Sequence, residues 1–144
     1  MMKFNVRVYG LLIHQEQVLV TDEDRFGIQF TKFPGGGLEF KEGTIECLER
    51  EFQEELNISI HTPQLFHINE NFVESAFNSN HQMLSIYYLV ESDELQSIKL
   101  KEKQFDFEGE EQIFRLISLA ELNADDFRFP IDKDVVKKIR EFYA

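Results

Sequence analysis

The sequence predicts an α/β protein, of the α+β kind, in which strands are interspersed with helices. β-Prone segments recur along the chain, and apolar residues take helical spacing in segments 44–56 and 132–142. The length of 144 residues suits one domain, so we expect a single domain over residues 1–144. Hydrophobic residues make up 42% of the chain, with fifteen Phe, which is enough for a sizeable core. These patterns leave the order of the strands open.

The first part of the chain predicts a hairpin, then a short strand and a loop rich in glycine. Residues 6–13 are strongly β-prone, and residues 14–17 predict a turn from which residues 18–21 pair back. Residues 22–27 predict a polar loop. Residues 29–33 predict a short strand that leads directly into the glycine-rich loop.

The remainder of the chain predicts further strands and a closing helix. Residues 82–91 hold a long apolar run, which predicts a strand buried on both faces. The final helix is expected to begin at Asp132 and to run to about Phe142. Its expected buried side consists of Val135, Val136, Ile139 and Phe142. The other predicted elements are strands at 58–60, 64–72, 96–101 and 112–116, loops at 74–80 and 105–111, and a short helix at 118–122.

The helix predicted over residues 44–56 carries a cluster of carboxylates. Glu51, Glu54 and Glu55 stand at i, i+3 and i+4, so their side chains fall on one face within an arc of about 100°. Thr44 is the expected N-cap and Cys47 a small buried residue. The apolar stripe beside the carboxylates consists of Ile45, Leu48, Phe52 and Leu56. One helix can therefore bury an apolar face and hold three carboxylates along its edge.

Three clustered carboxylates repel one another unless a cation lies among them. A hard divalent ion such as Mg²⁺ prefers oxygen ligands and keeps substrate phosphates in its coordination shell. This arrangement suits hydrolysis of a phosphoanhydride, because the metal neutralises developing charge and a carboxylate helps to activate water. A glutamate-rich helix is more commonly only a solvated face, and the helix by itself leaves that alternative open.

The loop that precedes this helix adds a family pattern. Gly36 is followed after five residues by Glu42, and seven further residues lead to Arg50-Glu51-Phe52-Gln53-Glu54-Glu55-Leu56-Asn57-Ile58. Residues 36–58, called the box below, resemble the signature of the Nudix hydrolase family at every fixed position except one. Asn57 stands where the family usually has Gly, and Asn is the next-best residue for a left-handed helix C-cap.

The resemblance implies a Nudix fold, which is an α/β/α sandwich with a mixed β-sheet. It also implies an enzyme that uses Mg²⁺ or Mn²⁺ to hydrolyse a nucleoside diphosphate linked to another moiety. Glu51, Glu54 and Glu55 match the family's metal-binding glutamates, and Glu51, Glu54 and Arg50 are the expected catalytic residues. Arg50 would orient the cluster by ion pairing, Glu42 would have a structural role, and the backbone of Gly36 would lie close to the metal.

Several residues outside the box are further candidates. Glu110 and Glu111 precede a predicted strand, and they could supply an extra base or metal ligand or belong to a solvated acidic loop. Arg7 lies in the first strand, and it could touch substrate or form a surface ion pair. Aromatic side chains could stack on a nucleobase, although each is more often part of a core. The residues considered for stacking are Phe26, Phe72, Phe77, Tyr88 and Phe129, and we select Phe26 and Phe72.

Composition limits the partners and the class of function. The net charge of −12 argues against binding of duplex nucleic acid and requires a metal to bridge an anionic substrate to the protein. The single cysteine fits a reducing compartment, no apolar run is long enough to span a membrane, and the start is no signal peptide. We therefore expect a cytoplasmic protein, with a nucleotide-type small molecule as its partner.

Two alternatives to the enzyme stay open at this point. The chain could be a Nudix-fold module that binds a nucleotide metabolite as a sensor without hydrolysing it. It could also be an acidic interaction protein with no small-molecule site. The intact glutamates favour the enzyme over both. A homodimer is also open, because dimers are common in the family, and the identity of the substrate does not follow from the box.

Overall fold

The structure is a computed structural model that describes residues 1–143. Within these residues, seven strands form one sheet and two α-helices pack against it. The strands are β1 Lys3–His14, β2 Gln17–Arg25, β3 Ile28–Lys32, β4 Gly35–Gly37, β5 His61–Ile68, β6 His81–Glu91 and β7 Gln112–Ser118. The helices are α1 Thr44–Leu56 and α2 Pro130–Phe142. None of the described helices is long and apolar enough to cross a membrane.

The sheet is mixed, as the predicted fold class requires. Its strands follow the order β3-β2-β1-β6-β5, while β4 pairs with β1 and β7 pairs with β2. β1 and β6 run parallel, with Val8 opposite Ile86, and the other neighbouring strands are antiparallel. Between β1 and β6 the chain passes through α1, because parallel neighbours need a long crossover connection.

The two helices lie on opposite faces of the sheet, each over its own hydrophobic core. Side chains alternate between the faces along a strand, so Val8 of β1 packs in one core and Leu11 of β1 packs in the other. The first core packs beneath α1 and includes Leu48 and Phe52, while the second packs beneath α2 and includes Val135. This layering confirms the expected α+β architecture with a mixed sheet between helices.

Several predicted strands and loops differ from the structure where long-range pairing decides the outcome. Residues 22–25 belong to β2 and not to a polar loop, because β2 pairs with both β3 and β7. Residues 58–60 do not belong to a strand, and β5 ends at Ile68, four residues before the predicted end. In the predicted strand 96–101, a 3₁₀ turn over Leu95–Ser97 is followed by a single bridge from Leu100 to Phe114.

The prediction for β6 and for the segment after β7 is only partly correct. The middle of β6 is buried on both faces, but Leu84 near its start is 36% exposed. The short helix predicted over residues 118–122 is wrong, because β7 continues to Ser118 and a turn follows it. The next helical element is a 3₁₀ turn over Ala124–Asp126.

The predicted bounds of α1 are correct, whereas its N-cap is not. Gly43, and not Thr44, is the N-cap residue, and the Gly43 N–H donates to the Glu46 carboxylate over 2.9 Å. Asn57 takes the left-handed conformation predicted for the C-cap, with φ 53°. Cys47 is buried as expected.

The second helix begins earlier than predicted. α2 starts at Pro130, which suits a first helical position because its missing N–H has no partner to lose there. Asp132 is therefore inside the helix and buried, and it does not open the helix. Phe142 is 63% exposed, so its prediction as a buried residue is wrong, while Val135, Val136 and Ile139 are fully buried.

Candidate active site

The glycine-rich loop is held between β1 and α1. Gly37 pairs with Arg7 and Gly35 pairs with Tyr9, so the loop forms the short strand β4. Gly35 has φ +149°, and a side chain there would overlap the backbone of Val8. A Cβ atom on Gly36 would overlap the Glu51 carboxylate. Glycine is therefore required for the loop backbone to lie directly against the first carboxylate of the cluster.

Arg50 ties the loop to the carboxylates of the helix. Its Nε and Nη2 donate to the two oxygens of Glu42 over 3.0 and 2.8 Å. Its Nη1 donates to Glu51 over 3.0 Å and to Glu54 over 3.2 Å, while Nη2 also donates to the Gly37 carbonyl over 3.1 Å. These bonds from Arg50, with one from the Glu39 N–H, lower the pKa of Glu42 to about 2. The paired carboxylates in turn raise the pKa of Arg50.

The three glutamates of the predicted metal cluster have different surroundings. The Glu51 side chain is 13% exposed and that of Glu54 is 59% exposed, and both accept from the same nitrogen of Arg50. Glu55 is half-buried and accepts from Gln112 Nε2 over 3.5 Å. Burial raises the pKa of Glu55, and the nearby charges of Glu23 and Glu51 act in the same direction.

The donor set fits a hard divalent ion. Glu51 and Glu54 converge on one cationic atom, Arg50 Nη1, and both offer carboxylate oxygens. Among residues 1–143, no three or more His, Cys, Asp or Glu side chains are already gathered closely enough to hold a metal. Glu51 and Glu54 instead both accept hydrogen bonds from Arg50, which lies between their carboxylates.

A cavity of about 270 Å³, called the main cavity here, is lined by residues of β1, β2, β3, β6, the segment 73–77 and the start of α2. The predicted residue Arg7 lines it and donates from Nε to the Tyr9 hydroxyl over 2.8 Å. Lys32 and Glu23 also line it, and the Lys32 ammonium lies 3.1 Å from the Glu23 carboxylate. Two of these charged groups interact electrostatically with carboxylates of α1, Arg7 with Glu51 and Lys32 with Glu55.

Four phenylalanines meet in the wall of the main cavity. The ring centroids of Phe26 and Phe77 are 5.7 Å apart, and those of Phe77 and Phe129 are also 5.7 Å apart. The fourth ring is that of Phe30, and its centroid lies 4.9 Å from that of Phe129. The candidate Phe26 therefore lies at the cavity. Phe72 is 65% exposed and does not line it, so the structure does not bring Phe72 to the site.

A buried acid lies deeper in the main cavity. Asp132 is 3% exposed, and its carboxylate accepts a hydrogen bond of 2.5 Å from the Tyr87 hydroxyl. Burial raises the pKa of Asp132 to about 6, even though the bond from Tyr87 and the charges of Lys32 and Arg7 oppose the shift. The carboxyl group therefore gives the cavity a hydrogen-bonding group that can accept or, when protonated, donate.

The NUDIX domain model matches residues 3–139 of this chain. The chain belongs to the Nudix family. The match confirms the predicted family and the prediction of an enzyme, a Nudix hydrolase that cleaves pyrophosphate bonds. No curated protein gives a significant match to the sequence.

Solved structures share the Nudix fold over nearly the whole chain. A MutT structure from a study of the Aliivibrio salmonicida and Vibrio cholerae proteins has a TM-score of 0.68 and 22% identity, covering 97% of this chain and 99% of that one. A NUDIX hydrolase from Nitrosomonas europaea has a TM-score of 0.71 and 21% identity, with coverage of 97% and 90%. The E. coli ORF135 protein has a TM-score of 0.71 and 17% identity, with coverage of 99% and 93%. At these identities the likeness concerns the fold.

Two residues of this Nudix domain were not predicted as site residues: Gln112, which contacts the cluster at Glu55, and Glu23, which contacts Gln112. Glu23 is 1% exposed and binds Arg25 Nε over 2.8 Å as well as Lys32. Gln112 Nε2 lies 3.3 Å from Glu23 and 3.5 Å from Glu55. The antiparallel pairing of β2 with β7 places Gln112 opposite Glu23, and no local sequence pattern predicts that register.

The acidic loop of the Nudix domain brings one of its two candidates to the site. Glu110 and Glu55 line a second cavity of about 220 Å³. The Glu110 carboxylate lies 3.6 Å from the Lys99 ammonium. The Glu111 side chain is exposed, while its backbone carbonyl accepts from the Asp24 N–H over 2.9 Å, so its ordered contact is with the sheet.

Proposed function

We propose that this Nudix hydrolase cleaves the diphosphate of a nucleoside diphosphate linked to another group, with Mg²⁺ or Mn²⁺ as cofactor. The observation that carries the proposal is the position of the box. Two cations of the main cavity, Arg7 and Lys32, interact electrostatically with the box glutamates Glu51 and Glu55, and the same cavity holds aromatic rings and a buried acid. One nucleotide can therefore bind with its diphosphate at the carboxylates and its nucleoside in the main cavity.

Glu51, Glu54 and Glu55 would hold the metal, with the backbone of Gly36 next to it. A divalent ion bound there supplies charge neutralisation for the phosphates and lowers the pKa of a coordinated water. Arg50 orients Glu51 and Glu54 through one guanidinium nitrogen. Glu42 in turn fixes Arg50 by accepting two hydrogen bonds from it. These contacts set the direction of the metal ligands before substrate arrives.

The attacking water needs a carboxylate to accept its proton. Glu54 is the most exposed of the three cluster glutamates, and it is a candidate for this role. Glu110 is the second candidate, because it shares a cavity with Glu55. In either case the proton moves to a carboxylate, on α1 for Glu54 or in the acidic loop for Glu110, and the phosphorus–oxygen bond of the leaving phosphate breaks as the water oxygen attacks phosphorus.

The main cavity would hold the nucleoside. Phe26, Phe77 and Phe129 offer aromatic faces, and stacking of a base on such faces stabilises binding by about 1–3 kcal/mol per base. Asp132 offers a hydrogen-bonding group to the polar edge of a base, while Arg7 lies on the way to the carboxylates and can contact a phosphate.

The test is release of phosphate or nucleotide from a panel of nucleoside triphosphates, ADP-ribose, nucleotide sugars and dinucleoside polyphosphates. Each is measured with Mg²⁺, with Mn²⁺ and with chelator. The variant Glu54→Gln/Glu55→Gln should lose metal-dependent turnover, whereas Glu49→Gln, an exposed glutamate on the same helix, should keep it. Full activity in the double variant would overturn the assignment of the metal ligands. Ligand binding without turnover of any substrate would favour the sensor alternative.

A further inference from the structure

The second cavity has a composition of its own, and we call it the lysine cavity. It lies between the end of α1, the segment 97–101 and the start of β7. Its polar lining consists of Glu55, Ser97, Lys99, Lys101, Glu110 and Gln112. In a chain with 15 basic and 27 acidic residues, this cavity brings two lysines together with two carboxylates, Glu55 and Glu110.

The two ammonium groups are held by carboxylates that solvent reaches easily. Lys101 has a side chain only 15% exposed, and its Nζ lies 2.8 Å from a Glu108 carboxylate that is 69% exposed. The Lys99 Nζ lies 3.6 Å from the half-exposed Glu110 carboxylate. Both carboxylates are accessible to solvent, and ion pairs with a solvated partner contribute little to stability, so an incoming anion can replace either carboxylate.

The lysine cavity is adjacent to the proposed reaction site. Glu55 belongs to the box and also lines this cavity, whereas Glu23 lines the main cavity. Gln112 Nε2 contacts both carboxylates and therefore lies between the two cavities. Because Glu55 lines the lysine cavity, a phosphate chain bound at Glu55 would border the two lysines of that cavity.

We propose that the lysine cavity binds a free terminal phosphate of the substrate, on the far side of the bond that is cleaved. The proposal rests on the proposed function and specifies its substrate class: a nucleotide whose phosphate chain ends in a free phosphate group, in preference to one capped by a sugar. Lys99 and Lys101 donate to the terminal oxygens, and Gln112 adds an amide donor. Glu55 and Glu110 repel the anion unless a divalent ion compensates them, so binding requires the metal.

The first experiment compares two substrates that share a nucleoside, ATP and ADP-ribose. The variant Lys99→Gln/Lys101→Gln is matched by Lys103→Gln/Lys137→Gln, which changes the net charge equally at exposed sites outside the cavity. Charge-assisted hydrogen bonds to phosphate are strong, so the ratio of kcat/KM for ATP to that for ADP-ribose should fall about tenfold or more in the first variant only. An unchanged ratio, or an equal fall in the control, would overturn the proposal.

The second experiment does not depend on turnover. Calorimetric titration with inorganic tripolyphosphate should show binding in Mg²⁺ that weakens about tenfold in Lys99→Gln/Lys101→Gln and disappears in chelator. Binding that is the same in both variants would refute the site even if hydrolysis were observed. If no substrate is hydrolysed but tripolyphosphate binding shows the expected dependence, the site stands and the proposed hydrolysis is what fails.

Discussion

The guanidinium of Arg50 donates two hydrogen bonds, of 3.0 and 2.8 Å, to the carboxylate of Glu42. Glu42 lies in the loop before α1 and Arg50 lies in the middle of the helix, so this pair fixes the loop against the helix. The same guanidinium holds Glu51 and Glu54. The positions of Glu51 and Glu54 therefore depend on one ion pair, Arg50–Glu42, that is only partly exposed.

Replacing Glu42 by Gln should destabilise the protein in a manner that depends on pH. The folded-state pKa of Glu42 is lowered to about 2 from 4.5, so the pair stabilises the fold above pH 4.5 and is lost as the pH falls toward 2. The melting temperature of Glu42→Gln should be lower than that of the native chain at pH 7, and the gap should close toward pH 2–3. Thermal unfolding at several pH values measures this, with Glu49→Gln as control. A gap that stays constant over that range would contradict the assignment.

The contribution of Asp132 to the stability of the fold should decrease as the pH rises through the acid range. Its pKa is 3.8 in an ordinary environment and about 6 in the folded chain, so the folded state holds a proton that the unfolded state has lost. The resulting stabilisation is fully present below about pH 4 and is lost as the pH rises through about 6. The difference corresponds to about 3 kcal/mol of unfolding free energy.

The variant Asp132→Asn tests this by removing the titrating proton while leaving an oxygen that can accept from Tyr87. Its unfolding free energy, measured by denaturant titration between pH 4 and pH 7, should fall less over this range than that of the native chain. Asp134→Asn, at an exposed position of the same helix, should retain the native pH dependence. Identical profiles for the native chain and Asp132→Asn would show that Asp132 does not titrate in this window.

Gln112 should act as a positioning residue for the metal ligand Glu55. Its amide links Glu55 on α1 to Glu23 on β2, and such outer contacts typically change metal affinity by about tenfold or more when removed. Gln112→Leu should weaken Mn²⁺ binding, measured by calorimetry, by about tenfold. Gln53→Leu, at an exposed position of α1, should bind Mn²⁺ like the native chain. A purely structural role of Gln112 predicts a lower melting temperature without a change in Mn²⁺ affinity.

Phe77 should contribute to binding of the nucleoside, and Phe72 should not. Phe77 contacts Phe26, Phe30 and Phe129 in the wall of the main cavity, whereas Phe72 is exposed outside it. Phe77→Ala should raise KM for the hydrolysed nucleotide about tenfold with a smaller change in kcat, because a stacking surface is lost. Phe72→Ala is the matched control on the same connecting segment, and equal effects in both variants would exclude a specific role for Phe77.

The sequence by itself determined the parts of the protein that depend on neighbours within a few residues. The bounds of α1, the left-handed cap at Asn57 and the order of the carboxylates along one face follow from helical geometry over residues 44–57. The glycine spacing of the box is local in the same way. The family and fold class could therefore be predicted, since the box alone identifies them.

Only the tertiary structure decided which distant residues surround the box. β2 extends through its polar residues 22–25 because two strands satisfy its backbone, and that pairing buries Glu23 and brings Gln112 to Glu55. Phe77, and not Phe72, reaches the main cavity, and Asp132 is buried inside α2 against Tyr87. These contacts join residues far apart in the chain, and a strand shifted by one residue would turn each side chain to the opposite face. Register and packing, which have no local signature, therefore decided the surroundings of the site.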